Sequence, residues 1–256
     1  LLDLLAEHGE GAKVLAGGTD LLVNIRAGIA KPRIVVDAKR VEGFGGVEWD
    51  PAAGLVLRPA TTINDVLKDE RVRRDFPLLA VCAHDLASYQ IRNRATVIGN
   101  VVNASPCSDM APALLCLGAR AEISSVRGTR SVPFTEFFTG VKKTVLAKDE
   151  ILERIVVPAA SAGTRGEYRK LKRINGHDLG IVGVAVARTA GELRIAVSSA
   201  APTPVLVKGL AAASKADEAV QATLAAVSPI SDVRCTREYR LFMIETFVRR
   251  LLEEIK

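Results

Sequence analysis

Ile91–Asp109 reads IRNRATVIGNVVNASPCSD, and the fold turns on what this stretch is able to hold. Few of its side chains do acid–base chemistry. Short hydroxyls and amides dominate, at Thr96, Asn100, Asn103, Ser105 and Ser108, with the carboxylate of Asp109 at the end and little bulk at Gly99. Such a surface suits close approach of a phosphate-and-sugar ligand held by backbone N–H groups. Taken alone, it reads equally well as a Gly/Asn/Ser loop between two buried segments.

A second stretch, KVLAGGTDLL at Lys13–Leu22, shifts the balance. Val14–Leu15–Ala16 is a short apolar run that ends a buried strand. Gly17–Gly18 allows a tight turn, and Thr19 or Asp20 caps a helix beginning near Leu21. Strand, glycine turn and helix start together make an anion site, because free N–H groups and the helix dipole point the same way. Neither GxGxxG nor GxxxxGK[ST] occurs, so a standard dinucleotide fold and a P-loop NTPase are not indicated.

The chain's 256 residues suffice for one large domain or two smaller ones. Hydrophobic residues make up 48%, a folded composition, yet no apolar run approaches the roughly 20 residues needed to cross a bilayer. The net charge of +6 is dispersed and reads as solvated helix faces, or as a surface for an acidic partner subunit. With only 4% aromatic residues there is little material for base stacking, and no nucleic-acid module is present. Cys82, Cys107, Cys116 and Cys235 fit no CxxC pattern and read as buried free thiols of a reducing, cytoplasmic compartment. The chain opens at Leu1 without Met, so a missing leader says little about location.

Helices are expected at Leu21–Ala27, from a Thr62 or Asn64 cap through Lys68, at Leu78–Ala87, at Ala111–Gly118, from a Ser214 cap through Val227, and from Thr236 to Glu254. Strands are expected at Arg33–Asp37, Ala121–Ser125, Tyr168–Ile174, Gly180–Arg188 and Leu193–Ala200. A hairpin is expected around Asp50–Gly54 and a turn at Gly128–Arg130. In the last helix, Tyr239, Phe242, Met243, Phe247, Leu251 and Ile255 share one face and read as core. His84–Asp85 invites a catalytic reading, but adjacent helical residues do not face each other and no nucleophile motif accompanies them. His177–Asp178 is read with the same restraint.

Five segments in order carry a resemblance. AGGTDLL at Ala16–Leu22, IRNRATVIGN…SPCSDMAPALLCLGA at Ile91–Ala119, EILERIVVP at Glu150–Pro158, YRKLKRINGHDLGIVGVAVA at Tyr168–Ala187 and VRCTREYRLFMIETFVRRLL at Val233–Leu252 resemble the FAD-binding (medium) subunit of the xanthine dehydrogenase and carbon monoxide dehydrogenase family of molybdenum hydroxylases. The resemblance spans nearly the whole chain. It implies an α+β, PCMH-type FAD-binding fold at residues 1–158, made of two α/β subdomains that meet near 45–50. A C-terminal antiparallel sheet with helices follows at 166–256.

The resemblance also implies roles. Val14, Leu15, Ala16, Gly17, Gly18, Thr19, Asp20 and Leu21 would contact the FAD pyrophosphate. Thr96, Val97, Ile98, Gly99 and Asn100, with Asn103 nearby, would form the second wall. Asp109 would accept from ribose or ribityl hydroxyls. Leu152 would cover the isoalloxazine, and Lys172 would approach its polar edge, where a cation favours the anionic reduced flavin. No residue of this chain is expected to be catalytic or to bind metal; Asn100–Pro112 holds only Cys107, so the iron–sulfur loop of some relatives is not expected. The implied partners are a large molybdenum-cofactor subunit and a small subunit with [2Fe–2S] centres, in a dimer of heterotrimers. Electrons would pass from those centres through the FAD of this chain to NAD⁺, a quinone, dioxygen or another carrier.

Two departures from the family's RNxGTxGGN run stand out. Ala95 replaces its first glycine and Ile98 the first of its paired glycines. A β-branched residue at positive φ is costly, so Ile98 is expected in an ordinary conformation with its side chain in the core. Two other readings stay open at this point: a scaffold subunit that has lost its flavin, and a self-standing MurB-like FAD oxidoreductase.

Overall fold

The computed structural model describes residues 1–174 and 176–255. Helix α1 (Leu2–His8) leads into strand β1 (Ala12–Leu15), helix α2 (Leu21–Arg26) and strand β2 (Ile34–Asp37). β1 and β2 pair in parallel, with Val14 opposite Val36; a parallel pair needs a crossover, and α2 supplies it. β2 is expected as a buried strand, but its residues are at most half-buried and Val35 is 42% exposed. α2 ends as expected before Gly28, whose φ of 71° suits glycine. Leu5 and Ala12 pack on Ile151, with Val14 and Phe44 at the margin, which ties this small unit to the next.

That unit opens with the expected hairpin, β3 (Val47–Asp50) and β4 (Gly54–Leu57). Asp50 Oδ1 closes its turn by accepting from the N–H groups of Ala52 (2.8 Å) and Ala53 (3.1 Å). Thr62 and Asp65 form a reciprocal capping box that starts α3 (Ile63–Lys68). Then come α4 (Glu70–Asp75), α5 (Pro77–Asp85), α6 (Tyr89–Arg92), α7 (Val97–Val102) and α8 (Met110–Cys116). Strands β5 (Arg120–Ser125) and β6 (Gly128–Pro133), helix α9 (Phe134–Phe137), the ribbon β7 (Phe138–Gly140) and β8 (Lys143–Thr144), and β9 (Ile151–Pro158) complete it. The turn expected at Gly128–Arg130 is instead the start of β6; the chain reverses at 126–127. The sheet runs β3-β4-β9-β5-β6, all antiparallel. Leu55, Leu57, Ile155 and Ile123 from this sheet pack with Ile63, Leu79 and Leu114 from the helices in one core.

The last part is an antiparallel meander of β10 (Arg165–Leu171), β11 (Val182–Arg188), β12 (Glu192–Ser198) and β13 (Val205–Ala211), then α10 (Ala216–Ala226) and α11 (Arg237–Glu254). Side chains alternate across a strand, and β11 uses this fully. Val182, Val184 and Val186 point into the core under α10 and α11, while Ala185 and Ala187 face α5 and α8. Small residues on that second face make room for their neighbours: a methyl group at Gly183 would stand 2.5 Å from Tyr168 Oη of β10, and one at Gly166 3.1 Å from Leu78 of α5. The sheet is therefore covered on both faces, and α5 and α8 join it to the preceding core.

Three expectations need correction here. β13 was not anticipated, because Lys208–Gly209 interrupts its apolar run and Gly209 has φ 81°. Lys215, not Ser214, is the N-cap of α10, and no side chain caps it. The buried face of α11 is turned from the expected stripe and runs through Arg240, Ile244, Phe247, Val248, Leu251 and Leu252. Phe247, Leu251 and Ile255 are buried, but Tyr239 and Phe242 stack on each other at the surface, 48% and 60% exposed. These two rings lie off the face that meets the sheet, where Arg240 of the same turn is buried and its Nη1 donates to the carbonyl oxygens of Ile181 and Ser199.

Candidate cofactor site

The two glycine-bearing bends meet. A methyl group at Gly17 would stand 2.1 Å from the carbonyl oxygen of Arg94 and 2.9 Å from Ala95 Cα. Only a residue without Cβ permits that approach. Gly18 follows at φ 79°, a left-handed conformation that turns the chain from β1 into α2. Lys39 Nζ holds the outgoing strand end by donating to the Ala16 carbonyl (2.9 Å). Among the described residues, the backbone N–H groups of Gly17, Gly18, Thr19, Asp20 and Leu21 find no protein acceptor; pairing resumes with Leu22 N–H to Gly18 O (3.1 Å). A run of unpaired N–H groups on a tight bend is an anion cradle. Asp20, the N-cap of α2, makes no side-chain cap bond.

The second bend is rigidly seated. Ile63 N–H donates to Ala95 O (2.9 Å) and Val97 N–H to Thr61 O (3.2 Å). Thr96 caps α7: its Oγ1 accepts from Gly99 N–H (3.0 Å). The Gly/Asn/Ser stretch is therefore partly helical. Val97 and Ile98 are buried residues of that helix, and Ile98 is not among the described residues with positive φ. Its side chain lies in the core, so the missing glycine leaves the bend undistorted. Asn100 braces the following loop, its Oδ1 accepting from Ser108 Oγ (2.6 Å) and Met110 N–H (3.3 Å). Asn103 Oδ1 accepts from Lys142 Nζ (2.9 Å).

Asp109 lies at the seam between the two cores. Lys170 Nζ is 2.9 Å from its carboxylate, and Tyr168 Oη donates to it at 3.2 Å. Burial raises the Asp109 pKa, and the Lys170 ammonium opposes that shift. Burial also pushes the Tyr168 phenol well above its ordinary range, so it stays a donor. Strand parity explains the grouping: Tyr168, Lys170 and Lys172 share one side of the β10 strand and its extension. Sequence reading selects Lys172 from that set. In the structure Lys172 stands 3.6 Å from Asp85, and it is Lys170 that reaches Asp109. Leu152 is 1% exposed, opposite Ile123 in the core.

One further residue carries no sequence signal. Ser199 has φ 63°, and its Oγ is buried without a partner. That oxygen lies 3.4 Å from where a Cβ on Gly180 would be, and Lys170 Cε lies 3.3 Å from the same point. A buried hydroxyl without a partner is rare in a closed protein interior. An N–H cradle, a glycine-only contact, a buried Asp–Lys pair and an orphaned hydroxyl fit a large polar cofactor with an anionic linker. Among the described residues no cluster of His, Cys, Asp or Glu could hold a metal ion.

Fold and site together point to the class of nucleotide-cofactor-binding chains of α+β architecture. The family of FAD-binding domains in molybdopterin dehydrogenases matches residues 1–160, and that of CO dehydrogenase flavoprotein C-terminal domains matches residues 166–255. The medium chain of carbon monoxide dehydrogenase from Hydrogenophaga pseudoflava is 32% identical over 97% of this chain and 91% of its own length. The nicotine 6-hydroxylase medium subunit of Paenarthrobacter nicotinovorans is 30% identical, over 98% and 92%. The solved carbon monoxide dehydrogenase of Hydrogenophaga pseudoflava superposes with a TM-score of 0.91 over 99% of this chain and 92% of that one, at 32% identity. The chain belongs to the family of FAD-binding subunits of molybdenum hydroxylases.

Proposed function

We propose that this chain is the FAD-carrying electron-transfer subunit of a multi-subunit molybdenum hydroxylase. Residues 1–158 form the flavin-binding unit and 166–256 close it. The observation that carries this reading is the contact of Gly17 with Arg94 beside a run of unpaired N–H groups. Gly17–Leu21 and the Thr96–Asn100 bend would hold the FAD pyrophosphate, with Val14–Ala16 behind them. Asp109 would take sugar or ribityl hydroxyls, Leu152 would back the site from the core, and Lys170 with Lys172 would set the charge at its polar end. When bound, FAD supplies a carrier able to take electrons singly from iron–sulfur centres and to deliver them singly or in pairs.

This chain's residues bind, orient and shield that group; none does acid–base work on an organic substrate. The [2Fe–2S] centres and the molybdenum cofactor would sit on a small and a large partner subunit, in a cytoplasmic dimer of heterotrimers. No helix among the described residues is long and apolar enough to cross a membrane. The test is purification of the chain with the products of its neighbouring genes, followed by denaturation and quantitation of released flavin and of metals. About one FAD per copy of this chain, with iron and molybdenum in the assembly, is the expected result. A flavin-free complex overturns it in favour of a scaffold, and an active single chain without metals in favour of a self-standing oxidoreductase.

A further inference from the structure

A cavity of about 520 Å³ is walled by α3, α4, α5 and α6. It shares no residue with the flavin site. Leu67, Ala80 and Val81 make an apolar floor, and Tyr89 stands at one side. Lys68, Arg73 and His84 surround it, Arg92 closes it, and no Asp or Glu lines it.

Its basic side chains are not all engaged in ion pairs. Arg71 and Arg74 of α4 both pair with Asp75. Among the described residues, Lys68 and Arg73 pair with no carboxylate. Arg92 is fixed, but by neutral groups: its Nη1 donates to the carbonyl oxygens of His84 (2.8 Å), Leu86 (2.9 Å) and Ala87 (3.3 Å), and its Nε to Asn64 Oδ1 (3.4 Å). Asn64 is buried and tied in turn, its Nδ2 donating to Asn93 Oδ1 (2.7 Å) and Tyr89 O (3.1 Å). The cavity is thus an open cleft with an apolar floor and basic side chains at its edge, within the size range of small-molecule sites, about 300–1,000 Å³.

We propose that this cavity binds a small apolar carboxylate or sulfonate, with its hydrocarbon body on Leu67, Ala80 and Val81 and its anionic group between Lys68 and Arg73. A neutral hydrocarbon leaves the cations unmatched, and an inorganic anion leaves the floor wet; a molecule with both parts answers both. The proposal does not depend on the flavin reading, although the wall that meets the ligand continues through Asn93 to the bend at Arg94.

The test is a fluorescence titration with 1-anilinonaphthalene-8-sulfonate, on the full chain alone and in its assembled complex. One saturable site is expected in both, displaced by 2-naphthoate and not by 2-naphthamide. Lys68→Glu/Arg73→Glu should weaken binding at least tenfold and the milder Lys68→Gln/Arg73→Gln severalfold, with Lys31→Glu unchanged. Val81→Trp, which fills the cavity, should abolish binding while the circular dichroism spectrum is retained. Equal affinity in both charge variants, or loss of the site in Phe242→Ser, overturns the proposal by placing the dye on another surface. Binding to the isolated chain but not to the complex also overturns it, because the cavity is then a seat for a partner subunit.

Discussion

Gly17 and Arg94 are 77 residues apart in sequence, yet there is no room for a methyl group between the Cα of the first and the carbonyl oxygen of the second: the two would be 2.1 Å apart. The contact sets the spacing of the two bends. Gly17→Ala must push them apart by moving backbone, since neither side of the contact is a flexible side chain. Overpacking of this kind costs about 1–3 kcal/mol, and each 1.4 kcal/mol is roughly tenfold in affinity. FAD retention should fall by roughly fivefold to a hundredfold, read as flavin released per chain. The circular dichroism spectrum should hardly change, because the larger cores lie elsewhere. Full flavin content in the variant removes the contact from the site.

Ile98 gives a second prediction, with a sign opposite to what the family pattern invites. Restoring the glycine there, Ile98→Gly, removes a buried side chain from α7. A cavity of that kind costs about 2–5 kcal/mol for Ile→Ala, and glycine in place of alanine in a helix adds roughly 1 kcal/mol. The variant should melt well below the parent and should hold flavin no better. A gain in flavin affinity would mean that Ile98 distorts the bend after all.

The thiols separate by burial. Cys82 and Cys116 are fully enclosed, and desolvation pushes the Cys116 pKa up to about 12 and that of Cys82 well above the ordinary thiol range. A thiol reacts as its thiolate. Native protein titrated with Ellman's reagent at pH 8 should therefore expose at most the half-buried Cys107 and Cys235, and denatured protein all four. Rapid reaction of three or four thiols in the native state would show that the helix α5–α8 layer opens.

These contrasts show what was legible in the sequence. The Gly17–Gly18 turn and the Thr62 cap could be read because glycine and cap residues act locally, whereas helix α7 and its Thr96 cap were hidden in a stretch that reads as a Gly/Asn/Ser loop. Strand parity put Lys170 and Lys172 on one side, but only packing against α5 and α8 decides which of them meets Asp109. Ser199 was invisible, since its orphaned hydroxyl and left-handed backbone arise from contacts with Gly180 and the loop at Pro106, far away in sequence. The same limit explains α11. Its apolar stripe is regular, but only packing decides that Arg240 and Ile244, rather than Tyr239 and Phe242, are buried.

The Asp109–Lys170 pair makes the pH dependence specific. Burial raises the folded pKa of Asp109 above its unfolded value, with Lys170 pulling the other way. A carboxyl whose folded pKa is raised contributes stability at low pH that is lost as pH rises through that pKa, because the folded state must then bury the charge. Lys170→Met removes the opposing ammonium, whose side chain is 1% exposed, and so raises the Asp109 pKa further. Below the pKa of the unfolded carboxyl, Asp109 is protonated in every state, and the variant should melt close to the parent or above it. As pH climbs toward 8 the parent ionises Asp109 against Lys170, while the variant must either bury an unpaired charge or hold a proton against solvent. The deficit should grow with pH toward the roughly 3–5 kcal/mol typical of a broken buried pair, and Asp109→Asn in the same background should abolish its pH dependence. Melting temperatures from about pH 3 to pH 8 for the parent and both variants are the measurement. A deficit that is flat with pH would show that Lys170 stabilises the fold by packing alone.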